Sequence, residues 1–245
     1  MSSNGGIPST EALAAVARSL LAQWGVQQTL EQICILAVDS IDGCDHAGIS
    51  FLKGGHVSTP AASDSIPGVV DDIQYETGEG PCLSAMRERE VFASDDLAQE
   101  ERWPSFSARA QRETGITSML SFRLFVAGDT LGALNLYSKS PAAFGAESRT
   151  IGVAFAAHAA VALSTAIHEE QMDEALQSRD LIGQAKGLIM ARDGVTADQA
   201  FNVLRRASQR LNVKLRDVAS SMVDSAPGAE GSAPAAGDEG GEGGA

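Results

Sequence analysis

"LIGQAKGLIMARDG" (181–194) reads as helix, yet Gly183 and Gly187 lie inside it with Lys186 between them. A glycine within a helix costs about 1 kcal/mol relative to alanine, so two in one short segment need a reason. Gly183, Gly187 and Ala191 recur at i, i+4 and i+8 and form a strip without bulky side chains. Either a packed helix or a nucleic-acid backbone could approach such a strip closely, with Lys186 beside it to reach a phosphate.

The segments that follow complete a three-helix unit over 179–224. "TADQ" (196–199) matches a capping box after the turn residues Asp193 and Gly194. Ala200, Val203, Leu204, Ala207 and Leu211 then give an apolar helical stripe, which Leu215, Val218, Ala219 and Met222 repeat. Opposite the first stripe, Asn202, Arg205, Arg206 and Gln209 fall within about a third of a turn at roughly 100° per residue. Such a face can bind phosphates and exchange hydrogen bonds with base edges.

Charge separates this unit from the rest. It holds eight basic and five acidic residues, net +3, while the remainder holds ten and 27, net −17. The overall charge of −14 argues against a general nucleic-acid coat protein or a polybasic membrane binder, but not against a local basic face.

Upstream, 9–42 reads as helical, with "TLEQ" (29–32) as a further capping-box match. Strand candidates are "AGISFL" (47–52), "HVSTPAA" (56–62), "SMLSFRLFV" (118–126) and "TLGALNLYS" (130–138), the last two joined by a hairpin at Gly128-Asp129. "GPCLSAMRERE" (80–90) and "SFSARAQRETG" (105–115) read as helices flanking that sheet, so the fold class is α+β. With no proline between Pro141 and Pro227, 147–192 forms one long helix or two with a small break. Its middle has intermittent apolar positions (Ile167, Met172, Ala175, Leu176, Ile182), which suits a weak coiled coil or a solvated connector equally.

Composition bounds the remaining classes. Three scattered cysteines without a CxxC pair suit a reducing cytosol. "MSSNGG" shows no signal-peptide pattern, and the apolar run 151–163 is interrupted by His158 and too short to span a bilayer. A cytoplasmic protein without membrane attachment is expected. The stretch 225–245 reads as a disordered acidic Gly/Ala-rich tail. The four histidines lack metal-ligand spacing, and no P-loop or serine elbow occurs, so neither a metal site nor a catalytic constellation is expected. Cys82, near a helix start where a thiolate is favoured, is the one tempting nucleophile; a buried residue shaping a pocket is the alternative.

The pieces "QAKG" (184–187), "AF" (200–201), "LRRAS" (204–208) and "NVKLRDVA" (212–219) make 182–223 closely resemble the ANTAR domain, an RNA-binding module of bacterial transcription antiterminators. "TGEGPCLSAM" (77–86), "SDDLAQEERWPSF" (94–106) and "GALNLYS" (132–138) resemble a GAF sensory domain of the type joined to ANTAR domains in actinobacteria. The implied layout is a flexible N-terminus (1–8), a GAF-like antiparallel sheet with flanking helices (9–163), a connector helix (164–178) and the three-helix ANTAR unit (179–224). The resemblance implies binding to paired hairpins in a nascent leader RNA, which keeps the terminator from forming and acts on the RNA polymerase elongation complex indirectly.

On that basis Lys186, Arg205 and Lys214 contact RNA, with Gln184, Ser208 and Asn212 as polar partners and Ala185 and Gly187 allowing close approach. Arg206, Arg210 and Arg216 join them from charge and helix face. Two hairpins suit a homodimer. A GAF ligand, a small molecule of unassigned identity, would meet Glu79, Cys82, Asp95 and Trp103, with structural bracing the alternative for Asp95, Asp96 and Trp103. The competing classes are a DNA-binding regulator and a ligand or redox sensor acting through protein partners. No receiver domain is evident ahead of the ANTAR unit, which favours control by ligand or partner over phosphorylation.

Overall fold

The computed structural model describes residues 10–88 and 91–225. The tail from 226 and the first eight residues lie outside the described residues. Eight helices and five strands follow in order among them: α1 (Thr10–Leu21), α2 (Val26–Ser40), β1 (His46–Lys53), β2 (His56–Ala62), α3 (Ser65–Thr77), α4 (Pro81–Glu88), β3 (Val91–Ser94), α5 (Pro104–Thr114), β4 (Ser118–Val126), β5 (Asp129–Ser138), α6 (Ala146–Asp193), α7 (Ala197–Leu211) and α8 (Leu215–Asp224). They divide into two compact units, up to Glu170 and from Gln171.

In the N-terminal unit the strands pair antiparallel in the order β2-β1-β5-β4-β3. Alternation along the strands splits the core into two layers. Ile49, Leu120, Phe122, Leu134 and Leu136 face one side with α1, α2 and the first half of α6. Met119 and Tyr137 face the other, against Val70 and Ile73 of α3 and Phe106 and Ala110 of α5. The β4–β5 hairpin turns on Ala127 and Gly128, both at positive φ, with Val126 opposite Asp129. The turn therefore lies one residue earlier than the expected Gly128-Asp129 pair.

Helix α6 is continuous, so the small break is absent. Phe155, Ala159 and Leu163 are fully buried on the sheet. Gly152 makes that contact possible, because a Cβ there would stand 2.2 Å from the Phe122 ring. A window of α6 has a mean hydropathy of 1.7, and half of it is buried within the fold, the pattern of a core helix.

Three local expectations need correction. The 9–42 segment is two helices, and "TLEQ" does not start the second. Its N-cap is Gly25 at φ 86, and the Thr29 hydroxyl donates back to the Gly25 carbonyl from inside the helix. The Val26 N–H is instead taken by the Glu170 carboxylate at 3.1 Å. Helix α3 and strand β3 were not expected at all. Pro67 and Gly68 suggest a loop, but Pro67 lies in the first turn, where its missing N–H costs nothing, and Asp64 caps the end by accepting from the Ile66 N–H. Strand β3 is a four-residue edge strand, too short to show alternation.

Candidate nucleic-acid interface and sensor cluster

The C-terminal unit is held together by few side chains. Ala185 and Ile189 of α6, Ala200 and Leu204 of α7, and Ala219 of α8 are buried, with Leu181, Ile182, Leu215, Val218 and Met222 packed around them. Three alanines among the five let the helices approach closely. The expected capping box is present: Gln199 N–H donates to the Thr196 hydroxyl at 3.3 Å, and Thr196 N–H donates to the Gln199 side chain at 2.9 Å.

Ser208 and Asn212 build the corner between α7 and α8. Asn212 takes the left-handed conformation (φ 54) that ends α7, and its N–H donates to the Ser208 carbonyl. The Ser208 hydroxyl donates to the Val213 carbonyl at 2.6 Å. This corner puts Lys214 at the start of α8, exposed.

The basic residues fall into two groups. Arg192 pairs with Asp193 at 2.7 Å, and Arg216 lies 3.4 Å from Glu174 and 3.5 Å from Asp217. Arg179, Lys186, Arg205, Arg206, Arg210 and Lys214 make no ion pair among the described residues. The last four are exposed and Lys186 is half-buried. Gln184 is exposed, whereas Ala185 is fully buried in the unit's core. Ala185 can therefore serve an interface only through packing and not by contact, which corrects its expected role. A Cβ added at Gly183 or Gly187 would meet nothing within 4 Å. Packing of a neighbouring helix within the chain is thus not why these glycines are there.

Each of the four GAF-side candidates is engaged by partners of its own fold. Glu79 caps α5, accepting from Ser105 N–H at 2.8 Å, Phe106 N–H at 3.3 Å and the Ser105 hydroxyl. Asp95 pairs with Arg149 at 2.9 Å on the surface. Trp103 is buried, donates its indole N–H to the Ser84 hydroxyl at 3.1 Å, and is covered by Phe92 and the Arg102 guanidinium. Asp96 caps the turn at Leu97 by accepting from Ala98 N–H. These are bracing roles. Cys82 is fully buried, with its Sγ 3.1 Å from the Ser50 hydroxyl. Burial, then the nearby Asp71 charge, pushes its thiol well above the ordinary range, so helix-start activation is not realised. Burial likewise raises Cys34 and Cys44 to about 12.

What surrounds Cys82 is a polar cluster that sequence reasoning missed. Asp71 on α3 is fully buried and accepts hydrogen bonds from Tyr137 at 2.5 Å, Thr59 at 2.7 Å, Gln74 at 2.8 Å and Ser50 at 3.2 Å. Tyr75 donates to the Ser50 hydroxyl, and Asn135 also donates there at 2.8 Å. Burial raises the Asp71 carboxyl to about 6, with those donors, Tyr137 first, pulling the other way. The available signal was an acid and an amide, Asp71 and Gln74, on the same helical stripe as Pro67 and Val70.

Comparison with known proteins places these units. The family model for the GAF domain matches residues 25–164, and that for the ANTAR domain matches 170–223. No curated protein sequence matches the chain. Among solved structures, the GAF domain of a phosphoenolpyruvate-protein phosphotransferase from Coxiella burnetii is 16% identical, with a TM-score of 0.54 over 69% of this chain and 99% of that one. Free methionine-R-sulfoxide reductase from Neisseria meningitidis, in complex with its substrate, is 13% identical, with a TM-score of 0.52 over 65% and 90%. At these identities the likeness shows the fold alone. It is the two family matches, one behind the other, that identify the chain: it belongs to the GAF domain family and carries an ANTAR domain after it, the arrangement of a regulator with a sensory domain.

Proposed function

We propose that the protein is a cytoplasmic transcription antiterminator that binds paired hairpins in nascent leader RNA and prevents terminator formation. The observation that carries this reading is a set of cations without ion pairs among the described residues, Lys186, Arg205, Arg206, Arg210 and Lys214 among them, within one small helical unit of a chain of net charge −14. Exposed cations without acid partners are free to replace the counterions of an RNA backbone. Hairpin loops, in turn, expose base edges that a duplex hides. Gln184 remains available for such an edge, while Ser208 and Asn212 act by shaping the α7–α8 corner.

In this reading 9–163 is the sensor, 164–178 the connector and 179–224 the RNA-binding unit. Two hairpins are met by a homodimer, and RNA polymerase is affected only through the RNA structure. The sensory input is a small molecule received on the α3–α5 face of the sheet, where polar groups gather in an otherwise apolar interior.

Equilibrium binding of the full chain to a two-hairpin leader RNA over a salt series tests the proposal, with single-hairpin RNA and duplex DNA as controls. Lys186→Ala and Arg205→Ala should each weaken binding and flatten the log–log salt dependence by about 0.7–0.9 for every phosphate that the variant leaves unneutralised. Unchanged affinity in both variants removes the assignment. A preference for duplex DNA would favour the DNA-reading alternative, against which stands the engagement of Arg216, the base within α8, with Glu174 and Asp217.

A further inference from the structure

We infer that Phe201 is a stacking platform for an unpaired base of the RNA loop, in a groove between α6 and α7; the inference rests on the RNA-binding reading above. The groove has a volume of about 840 Å³ and lies wholly within the C-terminal unit. Arg179, Asp180, Gly183, Gln184 and Lys186 line it from α6, and Phe201 lines it from α7.

Phe201 does not serve the core of the unit. The buried stripe of α7 is Ala200 and Leu204, whereas Phe201 is 37% exposed. At i, i+4 and i+7 it shares its stripe with Arg205 and Ser208, so the ring stands beside one of the unpaired cations of α7. Gly183 supplies the second observation. A mid-helix glycine is unfavourable, and here no neighbouring atom of the chain requires it, since a Cβ would meet nothing within 4 Å. What its missing side chain keeps open is the groove itself, next to an aromatic face.

The remaining lining has the chemistry of a nucleotide. Arg179 and Lys186 make no ion pair among the described residues and are placed to meet phosphates. Asp180 and Gln184 offer an acceptor and an amide to a base edge. An aromatic face bordered by cations is how single-stranded segments are held, and a base paired within a duplex cannot reach it.

The test uses the full-length chain. A library of RNAs with two adjacent stem-loops and randomised loops is selected for binding, and the selected RNA is remade with 2-aminopurine at each loop position in turn. With the wild-type chain, fluorescence at one loop position should be quenched. Phe201→Leu, which keeps bulk and apolarity but lacks a π-face, should abolish that quenching and weaken binding about tenfold, with the salt slope unchanged. Phe201→Tyr should restore both, and far-UV circular dichroism of each variant reports whether the helices persist. If Phe201→Leu binds as tightly and quenches as well as wild type, stacking is overturned while RNA binding stands. If selection yields no RNA that the wild-type chain prefers over duplex DNA, both readings fall together.

Discussion

The N-terminal unit hides its polar groups, and the C-terminal unit displays them. Asp71 and Gln74 are fully buried and meet donors and acceptors of their own fold, and the buried Asn135 donates to Ser50. By contrast Arg205, Arg206, Arg210 and Lys214 stand exposed with no acid in reach among the described residues. The two stretches of α6 repeat the difference. In the first, Gly152 is a contact with Phe122; in the second, Gly183 borders open space. The same residue type thus packs against a neighbour in one unit and borders open space in the other. A sensor must hold a shape around its own interior, whereas a binding face must remain incomplete until its partner arrives.

The largest effect expected from this contrast is in the core. Phe155→Ala on the buried stretch of α6 should destabilise the N-terminal unit by about 3–5 kcal/mol. Leu176→Ala on the second stretch, at a side chain 52% exposed, should stay within about 0.5 kcal/mol. Urea denaturation followed by fluorescence reports the first selectively, because both tryptophans, Trp24 and Trp103, lie in the N-terminal unit. A comparable loss at Leu176 would mean that the second stretch is packed as tightly as the first.

The buried carboxyl gives the next effect. Asp71 is held at about 6 in the folded chain against an ordinary 3.8. Between those values the folded state binds more protons than the unfolded one, so this group's contribution falls as pH rises. The loss amounts to about 3 kcal/mol across pH 4–6 and is complete above the folded value. Asp71→Asn should flatten the dependence of the fluorescence-detected urea midpoint over that range. If the slope survives in the variant, another group is responsible for it.

Smallest is the pair of glycines. Gly152→Ala should cost about 1–3 kcal/mol, because the Phe122 ring must move. Gly183→Ala meets no neighbour and should stabilise its helix by up to about 1 kcal/mol while lowering RNA affinity. Thermal melts and RNA titrations of the two variants check both signs. A destabilised Gly183→Ala chain would mean that packing, and not access, explains that residue.

The C-terminal unit was the more legible of the two because its signals are local. Capping by Thr196, the stripe through Ala200 and Leu204, and the charge excess each arise within a turn or two of one helix. In the N-terminal unit the strands with alternation were legible, but α3 was concealed by Pro67 and Gly68, and β3 by its length. The cluster around Asp71 draws on α3, β1, β2 and β5, and no local pattern marks Ser50, Thr59, Asn135 and Tyr137 as partners. Glu79 and Asp95 read as pocket residues for the opposite reason: a sequence does not distinguish a carboxylate that caps a helix from one that meets a ligand.

By itself, then, the sequence determined the class of each unit, the capped helices of the C-terminal one, and the region where positive charge gathers. Only the tertiary structure decided which of those charges are neutralised by acids, that Ala185 turns inward while Gly183 borders open space, and that Cys82 is fully buried, which raises its thiol. The reason is physical. Propensity and periodicity act over a few residues along the chain, but burial and pairing depend on which distant side chains the fold brings within a few ångströms.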